Sequence, residues 1–154
     1  MFDALQIVDW FIVKHNVEML DDDGIDPMTQ MKIHKLLYYA QGVYLAYTNG
    51  EKLFKDDLLA WQHGPVVRSV YDKFVGKRDL NVEIDEDMTT NYNEVSDEEK
   101  AYQVLETVYK VYGDYSAGQL RNMTHDERPW KETQINEVIP NSLIQEYFTE
   151  EVLE

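Results

Sequence analysis

From Ala4 to His15 the apolar residues Ala4, Ile7, Val8, Phe11 and Ile12 recur at helical spacing, and Asp3 stands where it can cap the first turn. The pattern predicts a buried amphipathic helix. The run Asp21-Asp22-Asp23-Gly24 breaks it, and Asp26-Pro27 offers a cap followed by proline at a first helical position. A second helix is expected over residues 28–48. Its Ile33, Leu36, Leu37, Ala40, Val43, Tyr44 and Tyr47 cover a face too broad to stay wet, so it reads as the central helix, ended by Asn49-Gly50.

Within residues 53–62, Leu58, Leu59, Ala60 and Trp61 form a short apolar run that fits a strand or extended segment. Gly64-Pro65 interrupts the chain, and Val66, Val67, Val70, Tyr71 and Phe74 predict a helix starting near Pro65 and running to Phe74 or Val75. Residues 76–99 turn polar and acidic. Alternating Leu80, Val82 and Ile84 suggest an edge strand or hairpin arm in an otherwise flexible stretch. Ser96-Asp97-Glu98-Glu99 has the form of a capping box, opening a long helix with the stripe Ala101, Val104, Leu105, Val108, Val111 and Tyr112, closed by Gly113. Ser116 caps a short helix carrying Leu120 and Met123 that ends near His125. After Pro140, Asn141 or Ser142 caps a last helix with Leu143, Ile144, Tyr147 and Phe148 inward. The fold class is therefore mainly α: one compact multi-helix domain over 1–154, with a short extended segment or small hairpin near 53–62 and 79–95.

Composition narrows the function. With 154 residues and 44% apolar content the chain can bury one continuous core without disulfide or metal. It has no cysteine, which removes thiol catalysis and cysteine-based zinc sites. Thirty acidic side chains against 14 basic ones give a net charge of −16, which repels nucleic acid and anionic lipid but attracts basic proteins. Asp3 sits where a secretion signal carries Lys or Arg, and no apolar run reaches membrane length, so a cytoplasmic protein is expected.

Residue constellations for chemistry are sparse. The aspartate run fails the calcium-loop spacing: with Gly24 as the turn glycine, the first ligand position falls on Met19 and the last on Gln30. No two of His15, His34, His63 and His125 have zinc-protease spacing. His63 and His125 lie at turns beside Trp61 and Pro129-Trp130, where an imidazole can tie two elements together through a backbone carbonyl. There is no nucleophile elbow and no glycine-rich phosphate loop, so neither enzyme activity nor a cofactor is expected. Tyr38 and Tyr39 are adjacent on a helix and point about 100° apart, which suggests that one faces the core and the other faces outward.

Three segments together carry a family resemblance: Lys32-Ile33-His34-Lys35-Leu36-Leu37-Tyr38-Tyr39-Ala40-Gln41-Gly42; then Ala60-Trp61-Gln62-His63-Gly64-Pro65-Val66-Val67 with Tyr71; then Leu120, Thr124-His125 and Pro129-Trp130. In this order they resemble the Panacea antitoxin domain of SocA-like antitoxins and phage-associated GepA-like proteins, over nearly the whole chain. The resemblance implies a helical protein-binding module that neutralises a co-encoded toxin, a basic one fitting the charge, by direct contact or as an adaptor to a host protease. The positions it marks are Lys35, Tyr38, Tyr39, Trp61, Gly64, Pro65, Val66, His125 and Trp130, with His63 beside them. None is assigned a catalytic role. Two other readings stand beside this one: an acidic phage accessory protein that mimics nucleic acid to occupy a host protein, and a hydrolase using His63 or His125 with a neighbouring carboxylate.

Overall fold

The computed structural model describes residues 1–22, 24–80 and 82–153. Asp23 of the aspartate run lies outside them. Helix α1 spans Ala4–Asp21, longer than its apolar repeat, with Asp3 as N-cap and the Gln6 side chain accepting from the Asp3 amide at 3.0 Å. Helix α2, Gln30–Tyr47, is the central helix, buried continuously from Ile33 to Leu45. It begins later than Asp26-Pro27 predicts, and its cap is Thr29, whose hydroxyl accepts from the Lys32 amide. The cause is tertiary: the carbonyl of Met28 accepts from the Leu80 amide and the Gln30 amide donates to the Arg78 carbonyl, so Thr29 between them is held extended. Asn49 (φ 58°) and Gly50 (φ 116°) turn the chain out of α2 as expected.

The helix expected from Pro65 is instead the second arm of a hairpin. Strand β1, Leu58–Trp61, pairs antiparallel with β2, Gly64–Val67, in the register Leu58↔Val67 to Trp61↔Gly64, and Gln62-His63 form the turn. Helix α3 follows only at Arg68–Phe74. Proline is admissible here because Ala60, its partner, directs its own N–H to Glu137 and its carbonyl to the Asn136 amide. Ala60↔Pro65 is thus a non-hydrogen-bonded pair, and the missing N–H of Pro65 is not needed by β1. Residues 136–139 line the other edge of β1, with Ile139 donating to Leu58.

The second half departs most from its sequence pattern over 79–95. Among the described residues there only Asp79 forms a strand-like bridge, to Thr29, and Glu86–Asp97 is a helix, α4, capped by Asp85. Its sequence is mostly polar, and it is held from outside: Tyr92 stacks on Trp10 of α1 at 5.5 Å, and Trp10 Nε1 donates to Ser96 Oγ at 2.9 Å. Ser96 is therefore not a cap. Glu98 caps α5, Glu99–Tyr112, accepting from the Lys100 and Ala101 amides. The buried stripe of α5 passes through Tyr109, while Val111 is half exposed. Changing Ser96 to alanine leaves the buried indole N–H without its partner and is expected to cost about 1–2 kcal/mol, seen as a lower denaturation midpoint at unchanged m.

Ser116 caps α6, Ala117–His125, as expected, and Gln119 completes a capping box with it; the chain then leads through the short α7, Arg128–Lys131, to α8, Asn141–Glu151. Neither Asn141 nor Ser142 caps α8; the position falls to Pro140, which has no side-chain acceptor to offer. Helix α8 lies on α2 where Gly42 has no side chain: a Cβ there would meet the Phe148 ring at 2.4 Å. The buried apolar residues, from Ala4 of α1 to Phe148 of α8, form one core. Among the described residues no helix is long and apolar enough to cross a membrane.

Candidate functional site

The marked residues of α2 do not split between core and solvent. Tyr38 and Tyr39 are both fully buried, and both donate to one carboxylate: Tyr38 Oη to Glu127 Oε1 at 2.9 Å and Tyr39 Oη to Glu127 Oε2 at 2.8 Å. Aromatic rings enclose this clasp. Tyr112 stacks on Tyr39 at 3.9 Å, and Phe148 stands edge-on to Tyr38 at 5.3 Å. Burial pushes the Glu127 carboxyl up to about 7, against the two phenol hydrogen bonds that favour its charged form. The same burial, reinforced by Glu127, raises both tyrosines. Glu127 joins the α6–α7 corner to α2. An acid in so acidic a sequence carried no signal of this.

On the adjoining face, α2, the hairpin and residues 135–136 enclose a cleft of about 790 Å³, floored by His34 and Lys35 and walled by Trp61, Val66 and Tyr71. The Gln30 amide group holds its rim by donating to the carbonyls of Phe74 and Lys77. His34 is a neutral acceptor, taking the Val67 N–H on Nδ1 at 3.3 Å; burial first, then the Lys35 charge, brings its pKa down to about 3. Trp61 packs edge-on against Tyr71 at 4.9 Å. Its carbonyl accepts from Trp130 Nε1 at 2.7 Å, and Trp130 stacks on His125 at 4.0 Å.

Of the two turn histidines, His125 is the one that meets a backbone carbonyl of the hairpin, that of Gln62, whose hydrogen bond favours its charged form. His63 is exposed at the tip of the hairpin, and the link between that turn and α7 is made by Trp130. His125 has a buried Nε2 without a hydrogen-bond partner among the described residues. Burial, then the charges of Arg121 and Lys35, lowers its pKa. Gly64 holds the closest approach in the site. It has φ 121°, and a Cβ on it would lie 2.9 Å from Lys35 Cε and 3.1 Å from Thr124 Oγ1, so the turn needs glycine for space and for conformation. Of the marked residues, Lys35, Trp61, His63 and Val66 line the cleft, Gly64 and Pro65 belong to its hairpin, Trp130 and His125 back onto Trp61 through the indole hydrogen bond and the ring stack, and Tyr38 and Tyr39 belong to the clasp. His34, weighed in the sequence only as a metal ligand, is a cleft residue that the marked positions omit.

Among the described residues no group of three or more His, Asp or Glu side chains is arranged to hold a metal ion. Neither curated proteins nor solved structures gave a match. One family model does match: antitoxin SocA-like, Panacea domain, over residues 33–131. That range takes in α2, the hairpin and α3 to α7, and leaves out α1 and α8, so it is narrower than the chain-wide resemblance of the motifs. Since it covers more than half of the sequence, the chain belongs to the family of SocA-like antitoxins with a Panacea domain.

Proposed function

We propose that the protein is an antitoxin that neutralises a co-encoded toxin by binding it directly. Family membership carries this reading. Charge supports it and indicates the partner: a surface with a net charge of −16 speeds encounter with a basic toxin and disfavours phosphate backbones. The acidity has a focus in a cleft of about 600 Å³ between α1, α3 and α4, where Asp3, Asp9, Asp56, Asp85 and Asp87 converge around Lys73. Burial raises the pKa of Asp9, so a cation entering there would meet an acid that gains from a partner. The surroundings of His125 favour a binder over a hydrolase: its charged neighbours are Arg121, Lys35 and His63, the reverse of the carboxylate that orients a general base.

The test is co-expression with the protein encoded beside it. That protein alone is expected to arrest growth, and the pair to grow and to co-purify. Asp85→Lys with Asp87→Lys should slow association about tenfold at low salt and flatten its salt dependence. Absence of both a complex and growth relief would sink the reading. Comparing the toxin's half-life with and without the antitoxin separates sequestration, which preserves it, from delivery to a protease, which shortens it.

A further inference from the structure

Lys35 is 2% exposed, yet no hydrogen bond or ion pair among the described residues engages its amine. The charged group that most affects it is another cation, Arg121. Two more side-chain nitrogens in the same neighbourhood, Arg121 Nε and His125 Nε2, are buried without a hydrogen-bond partner among the described residues. Helix α6 brings them together: Arg121 and His125 stand four positions apart on it, one turn from each other, and Thr124 between them shares with Lys35 the space against Gly64. Lys35 Nζ and Thr124 Oγ1 each lie 3.1 Å from the point where a Gly64 side chain would begin, so only the bare turn leaves room beside them.

A chain with 30 acidic residues has ample means to pair a buried cation. A lysine 2% exposed with no anion beside it, and two buried nitrogens with open valences next to it, cost stability, since a buried charge and a buried polar nitrogen each need a partner. Such a cluster persists where a ligand supplies the missing acceptor. Lys35 opens onto the Trp61 cleft, whose volume of about 790 Å³ suits a small molecule and whose Trp61, Val66 and Tyr71 walls suit a flat apolar body.

We propose that Lys35, Arg121 and His125 form an oxyanion site behind the Trp61 cleft, taking the phosphate or carboxylate head of a small ligand whose flat body rests against Trp61 and Tyr71. The acidic face is left to the protein partner. This site goes beyond toxin neutralisation and stands whether or not a toxin binds.

Calorimetric titration of the full chain at constant ionic strength tests it with three probes: adenosine monophosphate, phenylacetate and adenosine. At least one of the two oxyanion probes is expected to bind, and which of them binds more tightly identifies the head group. Adenosine, with the same base and no oxyanion, should bind at least tenfold more weakly than its monophosphate if phosphate is preferred. Lys35→Met, which keeps the apolar stem, should weaken the binding probe at least tenfold, whereas Lys110→Met on exposed α5 surface should leave it unchanged. In probe-free buffer Lys35→Met should raise the thermal midpoint, because it removes an unpaired buried charge. Should that variant fail to fold, Arg121→Met supplies the same affinity readout. Binding of neither oxyanion probe at millimolar concentration, or equal affinity in Lys35→Met, overturns the proposal, as does Lys35→Met lowering the midpoint with affinity intact, which would make the lysine scaffold alone.

Discussion

Phe148→Ala is expected to destabilise the protein by about 3–5 kcal/mol, measured by denaturant unfolding, because it removes a fully buried ring and leaves a cavity that two helices cannot easily close. The ring occupies the space that Gly42 vacates on α2 and stands against Tyr38 and Tyr39. That arrangement predicts strong coupling between the two positions. In the native background Gly42→Ala places a methyl 2.4 Å from a ring atom and must destabilise. In the Phe148→Ala background the same change meets open space and should stabilise by up to about 1 kcal/mol, the helix-propensity difference between the residues. A Gly42→Ala effect of one sign in both backgrounds would contradict the packing described.

Glu127→Gln is expected to change how stability depends on pH. The carboxyl titrates at about 7 in the fold against 4.5 unfolded, so between those values the folded state binds the proton more tightly. Its contribution to stability therefore falls as pH rises through that window, and the penalty is complete above about pH 7. Glutamine keeps the shape and removes the charge. The variant should gain on the native protein by on the order of 3 kcal/mol between pH 4.5 and 8, offset at every pH by the phenol that must now accept rather than donate. The native profile hides this slope. His34, held near 3 against 6.5, contributes the opposite one, since the unfolded chain takes up its proton first and stability falls as pH drops below 6.5. Subtracting the two profiles isolates Glu127; a difference that does not vary with pH would mean that the carboxyl titrates normally.

The elements most legible in the sequence are those whose burial repeats along their own helix. The apolar spacing of α1 and α5, the Ser116 cap of α6 and the Asn49-Gly50 stop all survive in the fold. Elements defined by a distant partner were not legible. Helix α4 reads as polar because its support, Trp10, belongs to another helix, and Ser96 resembled a cap while serving as the acceptor for that indole. Val66 and Val67 follow a helical period into α3, but pairing with β1 outweighs it. At the site, the family motifs include four residues that line the cleft, Lys35, Trp61, His63 and Val66. They could not say that two adjacent tyrosines share one buried acid, because the 100° between them is bridged by Glu127 from 88 positions away.

The third row of the small sheet sets the order in which the molecule can be completed. Strand β1 is flanked by β2 a few residues on and by residues 136–139 more than seventy positions later, and the cleft uses side chains from both sources. Local hairpin closure is fast, whereas the distant segment must pay the entropy of a long loop before it docks. During synthesis the hairpin would therefore emerge with one edge and one wall of its cleft missing, until the chain beyond Pro140 is clear of the ribosome. Whatever recognises the finished cleft meets it only once residues 136–139 have docked, whereas the acidic face built by α1, α3 and α4 is drawn from the first hundred residues.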